Sequence, residues 1–211
     1  MKYALALTAL LAVCSCSKVE ELLRPTENVQ EILRINELYE KGDAKAAKPE
    51  IDVYLAKYPK SPQGHRLKGW IEFGLEQDQA ARQSFEKALA LNPKEDNAEV
   101  GLGALARRSN RLDEARKHYE RAIEIEPKNP EALASLVVIE LKAKNYPKAV
   151  EVGERALALD SNSPVVLANL SVAYHYVGNQ KKRDELFQRA RQKGYKNARE
   201  LEKLFEGELE L

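Results

Sequence analysis

Three short stretches of this sequence recur at one fixed spacing: ALALNP at 88–93, AIEIEP at 122–127 and ALALDS at 156–161. Each stretch begins 34 residues after the one before it, with no insertion between them. Self-similarity at a period of about 20 to 50 residues is typical of repeat proteins, in which small units stack on one another. The spacing therefore indicates the fold class before any single element is assigned.

The same offset aligns five consecutive units across most of the chain, at 28–61, 62–95, 96–129, 130–163 and 164–197. SP at 61–62, NP at 129–130 and SP at 163–164 each place a capping side chain before a proline, which is typical of the first turn of a helix. Turn residues also recur near the middle of the units, as in GD at 42–43 and GN at 178–179. Each unit is therefore predicted to be a helix, a turn and a second helix.

Small and bulky residues alternate along the repeats in a way that fits packed helix pairs. The small ones are Gly69 and Gly103 on first helices and Ala47, Ala81, Ala115 and Ala149 on second helices, and the bulky ones are Ile51, Phe85, Tyr119 and Phe187. With the repeat endings, this pattern resembles the tetratricopeptide repeat (TPR) family. The resemblance implies an all-α solenoid of helix-turn-helix repeats that coils into a right-handed superhelix.

Residues 198–211 follow the last unit and are predicted to form a capping helix and a tail. Asn197 and Glu200 have the spacing of a capping box. Ala198, Leu201, Leu204 and Phe205 recur at helical spacing on one face. We expect this helix to cover the end of the repeat array.

The N-terminus is typical of an export signal followed by a lipid anchor. Lys2 precedes an uncharged run at 4–13, which is shorter than the roughly 20 apolar residues of a spanning helix. VCSC at 13–16 resembles the lipobox of bacterial lipoproteins. The resemblance implies a signal peptide at 1–15, acylation of Cys16 by fatty acids such as palmitate, and a tether at 16–27.

Ser17 follows the lipidated position, and in such lipoproteins a residue other than aspartate there implies the outer membrane of a Gram-negative cell. The predicted location is therefore the outer membrane, with the protein facing the periplasm. Two alternatives remain open. Ordinary signal cleavage near Ser15 would release a soluble periplasmic protein, and the anchor could instead lie in the inner membrane.

Composition argues against several classes of function. The formal net charge is +1, with 34 basic and 33 acidic residues of interspersed sign, which argues against a nucleic-acid partner. The two cysteines, Cys14 and Cys16, leave no disulfide within the repeats. The three histidines, His65, His118 and His175, lie in different repeats, and His118 is expected to face solvent. The sequence contains no glycine-rich phosphate loop. We therefore predict no enzyme, no metal, no cofactor and no small-molecule substrate.

The TPR resemblance also implies a binding groove, lined mainly by the first helix of each repeat. The groove positions that carry over are Asn36, Tyr39, Arg66, Trp70, Phe73, Ala104, Arg107, Arg108, Ser135, Val138, Leu141, Lys142, Asn169, Val172, His175 and Tyr176. Aromatic residues beside arginines suit a peptide with hydrophobic anchors and acidic groups. The alternative for Trp70 and Phe73 is that they pack between neighbouring first helices.

These observations favour a protein-binding scaffold or assembly adaptor in the bacterial cell envelope, which binds an extended segment of an envelope protein. The chain is similar in architecture to TPR lipoproteins that help type IV pilus or secretin components reach the outer membrane, and to those that recruit peptidoglycan hydrolases. The alternative is a structural component of an outer-membrane complex.

Overall fold

The computed structural model describes residues 27–209, with the backbone alone at Glu27. This part of the chain contains eleven α-helices and no β-strand, which confirms the all-α prediction. None of these helices combines the length and the apolarity needed to cross a bilayer. The predicted signal peptide, Cys16 and all of the tether before Glu27 lie outside the described residues. The helices are Glu27–Glu40 (α1), Ala44–Lys57 (α2), Pro62–Gly74 (α3), Asp78–Leu91 (α4), Asp96–Arg108 (α5), Leu112–Ile125 (α6), Pro130–Lys142 (α7), Tyr146–Leu159 (α8), Pro164–Tyr176 (α9), Gln180–Gln192 (α10) and Ala198–Phe205 (α11).

The chain divides into two compact units, and the first of them ends at Pro59. Helices α1 and α2 pack on each other there and bury Ile35 and Ile51. Asp43 caps α2, because its carboxylate accepts a hydrogen bond of 3.0 Å from the backbone N–H of Ala46. An ion pair of 3.0 Å between Lys57 and Glu31 also joins the two helices.

The second unit begins at Lys60 and contains α3 to α11. Its first eight helices form four pairs, and the first helices of the pairs begin at 62, 96, 130 and 164, again 34 residues apart. Each second helix packs on its own first helix, and α4, α6 and α8 also pack on the first helix of the next pair. Neighbouring first helices also touch one another. This consecutive packing of helices confirms the solenoid architecture for the unit.

The capping residues expected before α3, α7 and α9 act as predicted. The side chains of Ser61, Asn129 and Ser163 accept hydrogen bonds of 3.0, 2.8 and 3.4 Å from backbone N–H groups two residues into these helices. Proline occupies the first turn of all three helices, where its missing N–H would have had no helical partner. The local sequence therefore sets where these helices begin.

The turn inside each helix pair contains one residue with left-handed backbone geometry, and this residue also recurs every 34 positions. The five residues are Gly42 (φ +84°), Glu76 (+60°), Asn110 (+56°), Lys144 (+58°) and Gly178 (+79°). The fourth of these turns lies at 143–144, and Asn145 then occupies the N-cap position of α8.

Phe85 and Tyr119 fill the spaces between successive first helices, and both side chains are fully buried. The Phe85 ring of α4 lies against Gly69 of α3 and Gly101 of α5, and a Cβ atom on Gly69 would come within 2.6 Å of the ring. The Tyr119 ring of α6 lies against Gly103 in the same way, with 2.6 Å to an added Cβ. Glycine therefore permits the close approach of these helices.

Helix α11 packs on α9 and α10 at the end of the second unit. Leu204 is buried, and the Phe205 ring lies 5.3 Å from the Phe187 ring of α10 and 5.1 Å from the His175 ring of α9. The expected capping box does not form, since the Asn197 side chain makes no hydrogen bond at the start of the helix. Side-chain packing rather than capping therefore holds α11 in place.

Candidate functional site

The candidate site in the second unit is the surface to which α3, α5, α7 and α9 contribute, here called the first-helix face. Most of the predicted groove residues belong to it, while Asn36 and Tyr39 belong to α1 in the first unit. The Asn36 amide donates a hydrogen bond of 2.6 Å to Glu40 on the same helix, and Tyr39 is half-buried.

Trp70 and Phe73 are the aromatic residues that α3 contributes to the first-helix face, and Trp70 packs against the core. The Trp70 ring lies 5.3 Å from the Phe85 ring and 5.6 Å from the Phe73 ring, and both contacts are edge to face. Trp70 and Phe73 are each half-buried. The contact with Phe85 shows that Trp70 has a packing role, so removing its ring would disturb the core as well as the surface.

Two of the three predicted groove arginines are engaged within the chain. The Arg108 guanidinium lies 3.8 Å from the centre of the Phe73 ring, donates a hydrogen bond of 3.0 Å to the Phe73 carbonyl oxygen and pairs with Asp78. Arg66 pairs with Glu95 at 3.3 Å. These contacts connect adjacent helix pairs, so both charges are already balanced inside the protein.

A cluster of polar groups lies where α5 meets α7. The Tyr119 hydroxyl is buried and makes no hydrogen bond with any described residue. Burial raises the pKa of Tyr119, and Arg107 and Ser135 are close enough to oppose this rise, although neither has hydrogen-bond geometry with the hydroxyl. Arg107 is exposed and forms no ion pair within the described part of the chain. The cluster therefore contains hydrogen-bonding capacity that the described residues do not use.

Glu131 extends from α7 beside this cluster. The Glu131 side chain is exposed at the surface, but neighbouring atoms surround its carboxyl group. The resulting desolvation raises the pKa of Glu131, and the positive charge of Arg66 opposes that rise. Its negative charge also contributes to the raised pKa of Tyr119. The first-helix face thus carries both signs of charge within a short distance.

A pocket of about 270 Å³ lies where α7, α9 and α11 meet. Five of the predicted groove residues line it together with side chains of α11 and the segment after it: Val138, Leu141, Lys142, Asn169, Val172, Glu200, Leu201, Leu204 and Leu209. Its wall is mainly apolar, and its polar groups are those of Lys142, Asn169 and Glu200. The structure therefore brings Val138, Lys142 and Asn169 together at one pocket.

His175 and Tyr176 contact other parts of the second unit. The His175 ring lies against Phe205 of α11, and Tyr176 stacks on Tyr146 of α8 with 4.3 Å between ring centres. Burial lowers the pKa of His175, and the charge of Arg183 lowers it further. Since other side chains cover both rings, these two residues have mainly structural contacts.

The expectation that His118 faces solvent is wrong. Its Nδ1 atom lies 2.7 Å from the buried carboxylate of Glu99, and only 20% of its side chain is exposed. The buried carboxylate of Glu140 also has partners: it accepts a hydrogen bond of 2.6 Å from the Arg116 guanidinium and one of 2.9 Å from the Asn145 side-chain amide. These contacts join second helices to first helices. No group of three metal-ligating side chains occurs among the described residues.

Sequence reasoning missed the Tyr119 hydroxyl and the contribution of α11 to the pocket. Tyr119 occupies a core position of the repeat, where Phe85 and Phe187 occupy the matching sites in other repeats. The hydroxyl that distinguishes tyrosine from these phenylalanines was the available signal. No periodic signal could have indicated Leu209, because it lies beyond the last repeat.

The helix pairs described above match a known family along most of their length. Residues 32–96 and 100–164 match a family model described as tetratricopeptide repeat, and these segments make up more than half of the chain. The chain belongs to the tetratricopeptide repeat family. No curated protein sequence matches it.

Several TPR structures resemble this TPR protein. Pseudomonas aeruginosa PilF is 20% identical, with 82% of this chain and 78% of that chain covered and a TM-score of 0.74. PilW, described as a widely conserved type IV pilus biogenesis factor, is 20% identical, with 81% and 79% covered and a TM-score of 0.69. YrrB, described as a TPR protein with an unusual peptide-binding site, is 19% identical, with 90% and 98% covered and a TM-score of 0.61. At these identities the similarity establishes the TPR fold.

Proposed function

We propose that this TPR protein is a lipid-anchored scaffold of the bacterial cell envelope that catalyses no reaction and binds an extended segment of a partner protein on the first-helix face. The observation that carries the proposal is the unused binding capacity of that face. Within the described part of the chain, Arg107 is exposed and forms no ion pair, and the Tyr119 hydroxyl beside it makes no hydrogen bond. An apolar pocket opens one helix further along. Unpaired polar groups beside an apolar pocket are typical of a recognition surface.

The similarity to PilF and PilW supports a role in assembling an envelope complex of the type IV pilus class. PilW is described as a pilus biogenesis factor, and both proteins share the helical repeat architecture over about four fifths of this chain. We extend this role to the present protein. A repeat scaffold suits it because stacked helix pairs present a long surface without needing a catalytic centre.

Anchoring belongs to the proposal through Cys16. The acyl chains expected on Cys16 bury many methylene groups, each contributing about 0.8 kcal/mol of membrane affinity. The repeats therefore need no membrane-binding surface. Cys16→Ala should move the protein from the outer-membrane fraction to the soluble periplasmic fraction, while Cys14→Ala is the matched control and should leave it in the membrane. Release of the protein by both substitutions, or by neither, would contradict anchoring through Cys16.

The binding role is tested by crosslinked affinity capture from whole envelopes. Arg107→Glu reverses the unpaired charge, and we expect it to remove specific partners from the captured set. Arg155→Glu is the matched control, because Arg155 is an exposed arginine on the second helix α8. Trp70 is left unchanged, since its contact with Phe85 would confuse loss of binding with loss of folding. Identical partner sets from the two variants and the wild type would rule out binding through this face.

A further inference from the structure

Arg107 differs from the other two arginines predicted on the first-helix face. Arg66 and Arg108 each pair with a carboxylate, whereas Arg107 is exposed and has no ion-pair partner in the described part of the chain. An unpaired guanidinium presents several N–H donors in a fixed plane, which matches the two oxygens of a carboxylate. The Glu131 carboxylate beside the cluster is opposed by the charge of Arg66. The position of Arg107 on α5 therefore favours a negatively charged ligand group.

The Tyr119 hydroxyl lies at the same place and makes no hydrogen bond with the described residues. Its ring packs on Gly103, and Arg107 is one helical turn further along the same side of α5. Ser135 of α7 adds a second hydroxyl beside it. The hydroxyl itself is closed to solvent, so the exposed Arg107 guanidinium is the donor that a ligand carboxylate meets at this place.

The pocket of about 270 Å³ supplies a second contact point one helix further along. Its walls come from Val138 and Leu141 of α7, Val172 of α9 and Leu201 of α11. Lys142 forms no ion pair among the described residues and lies at the same pocket, where it can orient a polar backbone. A pocket of this size and lining suits one large aliphatic or aromatic side chain.

The distance between the two points sets the spacing of the ligand groups. The polar cluster lies between α5 and α7, and the pocket lies between α7 and α9, so they are one helix apart. Packed helices lie about 8–10 Å apart, and an extended chain advances about 3.3 Å per residue. We propose that the first-helix face recognises an extended partner segment in which an aspartate or glutamate side chain lies three residues from a large apolar side chain. This inference rests on the proposed function and specifies the partner's chemistry.

The probe for this test is a library of random linear dodecapeptides, selected on the full mature protein in detergent micelles. Enriched peptides should carry an acidic residue three positions from a leucine, isoleucine, methionine, phenylalanine or tryptophan. Affinities are then measured by fluorescence anisotropy with amidated synthetic peptides, so that no terminal carboxylate contributes. Enriched peptides without this spacing would overturn the inference and leave peptide binding by the face intact, whereas no enrichment at all would count against the proposed function as well.

Two variants test the two contact points. Arg107→Gln should weaken an enriched peptide about tenfold, as expected for loss of a charge-assisted contact. It should have no effect on the same peptide with its acidic residue changed to the amide, and Arg155→Gln should have no effect on either. Leu209→Ser alters the pocket at a residue that is 45% exposed, so folding is preserved, and it should weaken only peptides that contain the apolar residue. Equal effects of Arg107→Gln on the acidic and amide peptides would overturn the assignment of the carboxylate to Arg107.

Discussion

Among the described glycines of the second unit, Gly101 lies closest to a neighbouring side chain. A Cβ atom there would overlap the Phe85 ring even more closely than one at Gly69. The ring cannot move away easily, because Gly69 of α3 borders it on the other side. The absence of a side chain at two positions therefore makes room for one aromatic ring.

Gly101→Ala should lower the free energy of unfolding by about 1–3 kcal/mol, because the added methyl group forces the buried ring to shift. Urea unfolding followed by circular dichroism measures the change. Gly153→Ala is the matched control, because the added methyl there meets the end of the flexible Leu170 side chain at 2.7 Å. A loss for Gly101→Ala no larger than that for Gly153→Ala would show that the Phe85 ring adjusts freely.

Individual residues also show where sequence reasoning ends. Gly69 and Gly103 were predicted as crossing positions from their place in the repeat, and the structure confirms their close contacts with aromatic rings. Gly101 lies off that position, and its role follows from the orientation of one ring. His118 was misassigned because its place on a second helix does not reveal Glu99, 19 residues earlier, as its partner.

At the scale of the helices, Asn129 does more than cap α7. Its side-chain oxygen Oδ1 accepts from the Ala132 N–H at 2.8 Å, and its side-chain nitrogen Nδ2 donates to Asp96 at 2.6 Å and to Asn97 at 3.2 Å. The side chain is buried, so these hydrogen bonds are shielded from water. One residue thereby joins the beginnings of α5 and α7.

Asn129→Ala should cost about 2 kcal/mol of unfolding free energy, at the upper end of values for a lost N-cap, because two further buried hydrogen bonds disappear. Ser163→Ala should cost about 1 kcal/mol or less, since it removes one bond of 3.4 Å at the start of α9. Thermal and urea unfolding of the two variants provide the comparison. Equal losses would mean that the links to Asp96 and Asn97 add nothing to the cap.

The left-handed backbone geometry in the turns between paired helices has two different causes. Gly42, Asn110 and Gly178 suit left-handed backbone, and turn residues at these positions are recognisable in the sequence. Glu76 and Lys144 adopt the same geometry without any such preference. The packing of α3 on α4 and of α7 on α8 imposes it, because those helices must reverse direction within the same number of residues.

At the scale of the whole molecule, α11 both ends the repeat array and completes the pocket. It covers Phe187 of α10 and His175 of α9, and Arg191 pairs with Glu202 at 2.8 Å to hold it. The terminal repeat of a solenoid has one face without a neighbour, and a terminal helix protects that face from water. The same helix contributes Leu201 and Leu204 to the pocket wall.

Truncation after Lys196 should therefore lower the Tm by several degrees and increase aggregation, because it exposes apolar side chains of α9 and α10. Truncation after Glu206 keeps α11 and should leave the Tm nearly unchanged. Differential scanning calorimetry with light scattering separates the two. If both truncated proteins melt like the wild type, α11 contributes little to stability, and its main role would be at the pocket.

The sequence alone determined the all-α class, the TPR family, the period of 34 residues and the capped starts of α3, α7 and α9, because these features depend on local residue preferences that recur at a fixed spacing. Only the tertiary structure decided which of the predicted groove residues are left to contact a partner. It pairs Arg108 with Asp78 and places α11 over His175. Within the described residues it leaves Arg107 without an ion pair and the Tyr119 hydroxyl without a hydrogen bond. The physical reason is that a charge or hydroxyl is satisfied by whatever group folding brings within hydrogen-bond distance, and partners from different helices carry no periodic signal.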